Sequence, residues 1–81
     1  MGVPEMRERL ERLKVKRESL IIEIKGLART VRDKINPAMV DDIVDMQVSE
    51  AAAMMDNLVV KQAELIGIRS KIWELEEALG Y

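Results

Sequence analysis

The residues that could do chemistry in this sequence are carboxylates and cations, because its 81 residues include neither His nor Cys. The usual general base, the thiolate nucleophile and the common zinc and haem ligands are therefore missing. Acidic side chains cluster at residues 41–45 and 74–77 and could bind Mg²⁺ or Ca²⁺ weakly. Such clusters on exposed helices are usually solvated surface. We expect a protein that is not an enzyme and that has no catalytic site, metal, cofactor or small-molecule substrate.

A group of cations near the start of the chain is the candidate for nucleic-acid binding. Its members are Arg7, Arg9, Arg12, Lys14, Lys16 and Arg17. Glutamates interleaved at spacings of three and four residues allow ion pairs along a helix. This half has no aromatic residue to stack on bases. We expect a solvated basic face that complements the acidic second half of the chain, and keep a nucleic-acid-binding helical hairpin as the alternative function.

The elements that position these residues are indicated by heptad spacing between residues 40 and 79. Apolar residues recur every seven positions at Val44, Ala51, Leu58, Leu65, Ile72 and Leu79. Three residues after each of the first five come Gln47, Met54, Lys61, Ile68 and Leu75, and the two sets together form one heptad seam, in which only Gln47 and Lys61 are not apolar. A second row contains Ala52, Val59, Ile66 and Trp73. Together the rows cover nearly half of the helix circumference. A seam with one neighbour needs only a narrow stripe, so this helix should touch more than one neighbour.

The first helix is predicted from Pro4 to about Ile35. Pro at the first helical position needs no N–H partner, and apolar residues then keep alternating spacings of three and four. The stripe widens beyond Leu20, where Ile21 and Ala28 join it. We therefore expect the half of this helix near the turn to be the more deeply buried half.

The dipeptide Asn36-Pro37 predicts a tight reversal, because Pro cannot continue a helix and restricts the residue before it. The second helix is then predicted from Pro37 to Leu79, with Gly80 ending it. Two alternatives stay open: one long kinked helix through Pro37, and a break in the second helix at residues 47–49.

A reversal at Asn36 places Pro4 opposite Arg69 and leaves the end of the second helix without a partner in its own hairpin. The overhang would be about 15 Å long and would contain Ile72, Trp73, Leu75 and Leu79. Unpaired apolar surface of this kind predicts a twofold homodimer that forms a four-helix bundle.

The predicted interface lies on the second helix, with Trp73 as its anchor. Its residues are Met54, Met55, Leu58, Val59, Leu65, Ile66, Ile72, Trp73, Leu75 and Leu79. Two charges occupy seam positions, Arg17 and Lys61. They can either set the register or extend their aliphatic stems along the seam with the charge in water, and we favour the second.

The chain is thus predicted to be a single all-α domain over residues 1–81. Its longest apolar run has five residues, at 51–55, and its start lacks the apolar segment of a signal peptide. We expect a cytoplasmic protein without membrane association. The predicted function is that of a small non-enzymatic interaction or scaffold protein, self-associating through its second helix, with a different protein as a further candidate partner.

Overall fold

The computed structural model describes residues 2–81 and contains two α-helices of 32 residues each, α1 (Val3–Lys34) and α2 (Val48–Leu79). The helices pack against each other as an antiparallel hairpin of 60 × 15 × 15 Å. No β-strand occurs in this part of the chain. The predicted all-α two-helix hairpin is confirmed.

The bounds of α1 agree with the predicted ones to within one residue at each end. Pro4 lies in the first turn together with the acidic Glu5, and the last turn is basic, with Arg32 and Lys34. Both groups of charges stabilise the helix through favourable interactions with its dipole.

The beginning of the second helix was predicted wrongly. A continuous helix from Pro37 was expected, whereas α2 begins at Val48, at the break that had been the alternative. Residues 35–47 form a connector instead, which contains two single 3₁₀ turns, Pro37–Met39 and Ile43–Asp45.

Local side-chain hydrogen bonds explain why the connector is not helical. The Asn36 Oδ1 atom accepts a bond of 3.1 Å from the Ala38 N–H, and the Asp42 Oδ1 atom accepts one of 3.1 Å from the Val44 N–H. Asn and Asp side chains that bind nearby backbone in this way compete with helix formation. Asn36 therefore caps one short turn and not the start of a long helix.

The longer connector changes which residues of the two helices lie opposite each other. Ion pairs join Lys16 to Glu64 and Lys34 to Glu50 across the helices. These residue numbers add to 80 and 84, whereas a reversal at Asn36 requires about 73. The end of α2 therefore lies beside the start of α1, and the predicted overhang is wrong. Ile72, expected on that overhang, is only 3% exposed within its own hairpin.

The main buried cluster lies in the half of the hairpin remote from the connector. It consists of Leu10, Leu20, Ile68 and Ile72, with Leu13, Leu65, Leu75 and Leu79 packed around it. The expectation of deeper burial in the turn half of α1 is met only in part, since Leu20 and Val31 are buried there but Ile35 is 46% exposed. There the core row of α2 offers the small Ala51 and the charged Lys61 in place of Leu or Ile.

Gly80 ends α2 as predicted. Its φ is +76°, in the left-handed region that favours glycine. The next N–H, that of Tyr81, donates a bond of 2.9 Å to the Glu76 carbonyl. This 6→1 bond satisfies one of the free carbonyls at the helix end.

Candidate association surface on the second helix

The two heptad rows of α2 have opposite environments. The first row, with the residues three positions after each of its members, faces α1 and contains the three buried residues of this helix, Ala51, Ile68 and Ile72. The second row is turned about 100° away from it, since each of its members follows a core residue in the sequence. Ile66, which follows Leu65, is 57% exposed, and Trp73, which follows Ile72, is 64% exposed. Only one of the two rows is thus used inside the hairpin.

The exposed row is longer than its four predicted members. Residues spaced alternately by four and three along this face are Val48, Ala52, Met55, Val59, Gln62, Ile66, Arg69 and Trp73, which we call the outer row. Six of these eight residues are apolar, and all eight are exposed. At 1.5 Å per residue the outer row is about 38 Å long. Its spacing is that of a coiled-coil seam without a partner helix.

The two long edges of the hairpin differ in charge. Three ion pairs join the helices, from Lys16 to Glu64 (3.3 Å), from Lys61 to Glu23 (2.7 Å) and from Lys34 to Glu50 (2.8 Å). Glu50 and Glu64 each precede a core residue of α2, so they lie on the side of the helix away from the outer row. Among residues 2–81, all ion pairs between the helices are therefore on one edge, and the outer row lies on the other.

The edge of α1 beside the outer row is mostly charged. It contains the residues that follow core positions of α1, namely Arg7, Glu11, Lys14, Glu18, Ile21, Lys25, Ala28 and Arg32. Six of these eight side chains carry a charge, and only Ile21 and Ala28 continue the apolar surface. The exposed apolar surface of this edge is consequently concentrated on α2.

A shallow groove of about 440 Å³ lies at the end of the outer row. It opens to solvent and is lined by Ile66, Arg69, Ser70, Trp73 and Glu74, all from α2. One helix thus forms the whole groove, between side chains of consecutive turns. Such a groove fits an apolar side chain of a packing helix, in the manner of a knob entering a hole.

The predicted interface residues divide between the core and this surface. Ile72 is buried, and Leu65, Leu75 and Leu79 pack against the core cluster. Met54 and Leu58 are half-buried on the same row. The exposed members are Met55, Val59, Ile66 and Trp73, between 48% and 64% exposed. Sequence reasoning placed Ala52 on the second row but left it out of the predicted interface. It missed Val48 altogether, although the spacing of four and three residues already contains this residue.

The predicted basic cluster does not form one face. At 100° per residue its six cations spread over more than half of the circumference of α1. Arg12 pairs with Glu8 at 3.0 Å, Lys14 with Glu11 at 3.9 Å and Arg17 with Glu18 at 3.4 Å, and Lys16 is in the pair with Glu64 described above. Four of the six charges therefore have an acidic neighbour.

The seam charge Lys61 contacts the opposite helix. Its Nζ atom donates a bond of 2.7 Å to the Glu23 Oε2 atom, and the side chain is 26% exposed. This hydrogen bond, together with the charge of Glu23, raises the pKa of Lys61 above its ordinary value of 10.5. The favoured interpretation placed this charge in water, whereas the ammonium group binds a carboxylate of α1.

Arrangements suited to metal binding or membrane insertion are not found in the described part of the chain. Residues 2–81 contain no group of three acidic side chains placed to hold a metal ion. Neither α1 nor α2 includes an apolar segment long enough to cross a bilayer.

Comparison with known proteins gives no relative: no family model, no curated protein and no solved structure matches the chain. The case for its function consequently depends on the geometry of the hairpin.

Proposed function

We propose that this chain is a small non-enzymatic interaction protein that acts through protein–protein association and self-associates through the outer row of α2. The observation that carries this proposal is the exposure of a complete heptad row. Apolar side chains that recur at spacings of four and three residues are covered when a second helix packs along them. Left in water, they form a contiguous apolar patch of the kind that marks interaction sites.

The small core of the hairpin supports association. Six apolar residues are buried: Leu10, Leu20, Val31, Ala51, Ile68 and Ile72. Domains of this size remove only about 60% of their unfolded surface from water and are marginally stable alone. Covering the outer row adds a second layer of burial without a longer chain.

The proposed interface is narrower than the one predicted from sequence. Leu65, Ile72, Leu75 and Leu79 already pack within their own hairpin and are not part of it. Two hairpins joined along their outer rows place four helices side by side, which is the arrangement of a four-helix bundle. The dimeric bundle and the cytoplasmic location are both proposals.

Nucleic-acid binding is less well supported than protein association. Phosphate contacts need several cations on a common surface. The cations of α1 are instead spread around the helix, and most have an acidic neighbour. No observation on the hairpin favours this alternative over association.

Molar mass in solution tests the proposal. Light scattering behind a sizing column should give twice the chain mass of 9.3 kDa for the native protein. Trp73→Ala removes two anchors per dimer. At about 2 kcal/mol for each anchor, the dissociation constant rises about 1000-fold and the mass falls to that of one chain.

The matched control is Val60→Ala, which truncates a residue of α2 that is 65% exposed but lies off the outer row. It should keep the mass of two chains, and both variants should keep the native helix content by circular dichroism. A native mass of one chain at high protein concentration would refute self-association. Equal effects of the two variants would refute the outer row as its site.

A further inference from the structure

We infer that the two copies pack with antiparallel α2 helices in a single register, in which the outer rows pair as Val48 with Trp73, Ala52 with Arg69, Met55 with Ile66, and Val59 with Gln62. This inference rests on the proposed function and specifies its partner surface. A twofold axis then crosses the interface at the midpoint of the outer row, between Val59 and Gln62, at the level of the peptide bond that joins Val60 to Lys61. Each of the four layers therefore occurs twice in the dimer.

The spacing of the outer row allows an antiparallel second copy to pair along its full length. From Val48 to Trp73 the intervals are four, three, four, three, four, three and four residues, which is the same series read from either end. An antiparallel second copy thus brings all eight positions to the same levels as their partners. A symmetric interface must be self-complementary in this way, because the same patch is used by both subunits.

The side chains in each layer also fit this register. Met55 against Ile66 and Val48 against Trp73 bring apolar groups together. The long Arg69 side chain lies across the small Ala52, where its stem has room and its guanidinium can reach water. Gln62 lies beside Val59 near the axis. The two polar residues of the row therefore never face each other.

Charge favours the same register. Residues next to the outer row, on the side remote from α1, include Ser49, Asp56, Ala63 and Ser70. In the inferred register Ser49 lies near Ser70 and Asp56 near Ala63, so no like charges meet. A slide of one heptad that pairs Val48 with Ile66 sets Asp56 against its own copy. The outer row and these flanking positions contain only two charged residues, Asp56 and Arg69.

The competing arrangements leave apolar surface exposed or bring charges together. A slide in the other direction pairs Gln62 with Ile66 and leaves Val48 and Ala52 without partners. A parallel pair in register stacks Arg69 on its own copy at a seam position. Packing of α2 on the α1 of the second copy opposes the outer row to an edge in which six of eight residues are charged.

Disulfide trapping tests the register directly, because the native chain has no Cys. Ile66→Cys is mixed in turn with three other variants. Met55→Cys reports the inferred register. Gln62→Cys reports the slide that pairs Gln62 with Ile66, and Val48→Cys reports the slide that pairs Val48 with Ile66. Ile66→Cys alone reports the parallel pair. Ile66→Cys mixed with Val60→Cys, on another face of α2, is the control for chance collisions.

The mixture with Met55→Cys should be the one that crosslinks. A disulfide needs Cα atoms about 4.4–6.8 Å apart, which facing seam positions provide. Held in a dimer, the two thiols have an effective concentration in the mM range, so at about 10 μM protein they should oxidise about 100-fold faster than the control pair. Intact mass identifies the product, since the variants differ in mass.

A second pair, Val59→Cys mixed with Gln62→Cys, repeats the test at the centre of the interface and should also crosslink. Light scattering of every mixture before oxidation distinguishes a failure of the inferred register from a failure of the proposed self-association. A dimeric mass with crosslinking of another mixture, or of none, overturns the register and leaves the proposed self-association standing. A mass of one chain for the native protein overturns both.

Discussion

Two isoleucines of α2 provide a matched comparison of the inner and outer rows. Ile72 is 3% exposed and belongs to the core cluster, whereas Ile66 is 57% exposed on the outer row. Substitution by Ala removes the same three carbon atoms from the same helix in both cases. Any difference between the effects of the two substitutions therefore arises from the row that the residue occupies, since the chemical change is the same.

The expected magnitudes differ widely when the hairpin is a monomer. Loss of three buried carbons costs about 2.4 kcal/mol in transfer free energy, and the residual cavity raises this to about 3 kcal/mol for Ile72→Ala. The midpoint of thermal unfolding should fall by about 12 °C or more. Ile66→Ala should change the free energy of unfolding by less than about 0.5 kcal/mol, as surface substitutions do.

The assay is urea unfolding followed by circular dichroism at two chain concentrations, one below and one above the association range given by light scattering. At the higher concentration Ile66→Ala should become destabilising, because two Ile66 side chains are then lost from each dimer. At about 1.5 kcal/mol each, the dissociation constant should rise more than about 100-fold. Equal losses of unfolding free energy for the two variants at low concentration would refute the placement of the rows. An effect of Ile66→Ala on stability that is the same at both chain concentrations would refute the role of the outer row.

Two further predictions concern the ion pair and the glycines of α2. Glu23→Gln should lower the pKa of Lys61 towards its ordinary value of 10.5, as measured by NMR titration, and an unchanged midpoint would show that the pair does not form in solution. Because the pKa of Lys61 is raised by folding, the pair stabilises the native hairpin fully below pH 10.5, and this contribution is lost as the pH rises through the higher folded value. Gly67→Ala should stabilise the hairpin by about 1 kcal/mol, because the added Cβ meets no atom within 4 Å in a helix interior. Gly80→Ala should destabilise it in thermal melts of both variants, because φ is +76° there. Destabilisation by Gly67→Ala together with stabilisation by Gly80→Ala would contradict the helix bounds.

The helices and the core row could be predicted from the sequence because heptad spacing is a strong signal over 32 residues. Leu65 and Ile68, both on the predicted seam, are half-buried and buried respectively. Gly80 was identified because few other residues adopt a left-handed helix end. These features depend on local backbone geometry, which the sequence encodes directly.

The start of α2 could not be predicted because two local effects compete over residues 37–47. Pro37 and the following acidic residues suit the first turn of a helix, and Val44 and Gln47 continue the heptad phase. Asn36 and Asp42 nevertheless bind nearby backbone N–H groups and stop each turn. The heptad pattern does not report which of these two local effects prevails.

The error at the start of α2 propagated to the candidate site. Its position fixes which residues face each other, so a shift of about ten residues removed the overhang and moved Ile72 into the core. Trp73 stayed exposed because its place on the second row depends on phase alone. Assignments by phase therefore survived within α2, whereas Val44, which precedes α2, is 79% exposed despite its heptad position. Assignments by helix length did not survive.

The antiparallel hairpin also determines how the molecule would respond to a pulling force. The outer ends of both helices, at Val3 and Leu79, lie at the same end of the molecule, opposite the connector. Tension applied between them separates the helices layer by layer and reaches the cluster around Leu10 and Ile72 first. Because few side chains resist at any moment, the hairpin should open at low force. Once that cluster has separated, the remaining layers contain the smaller Ala51 and should give way without a further barrier of comparable height.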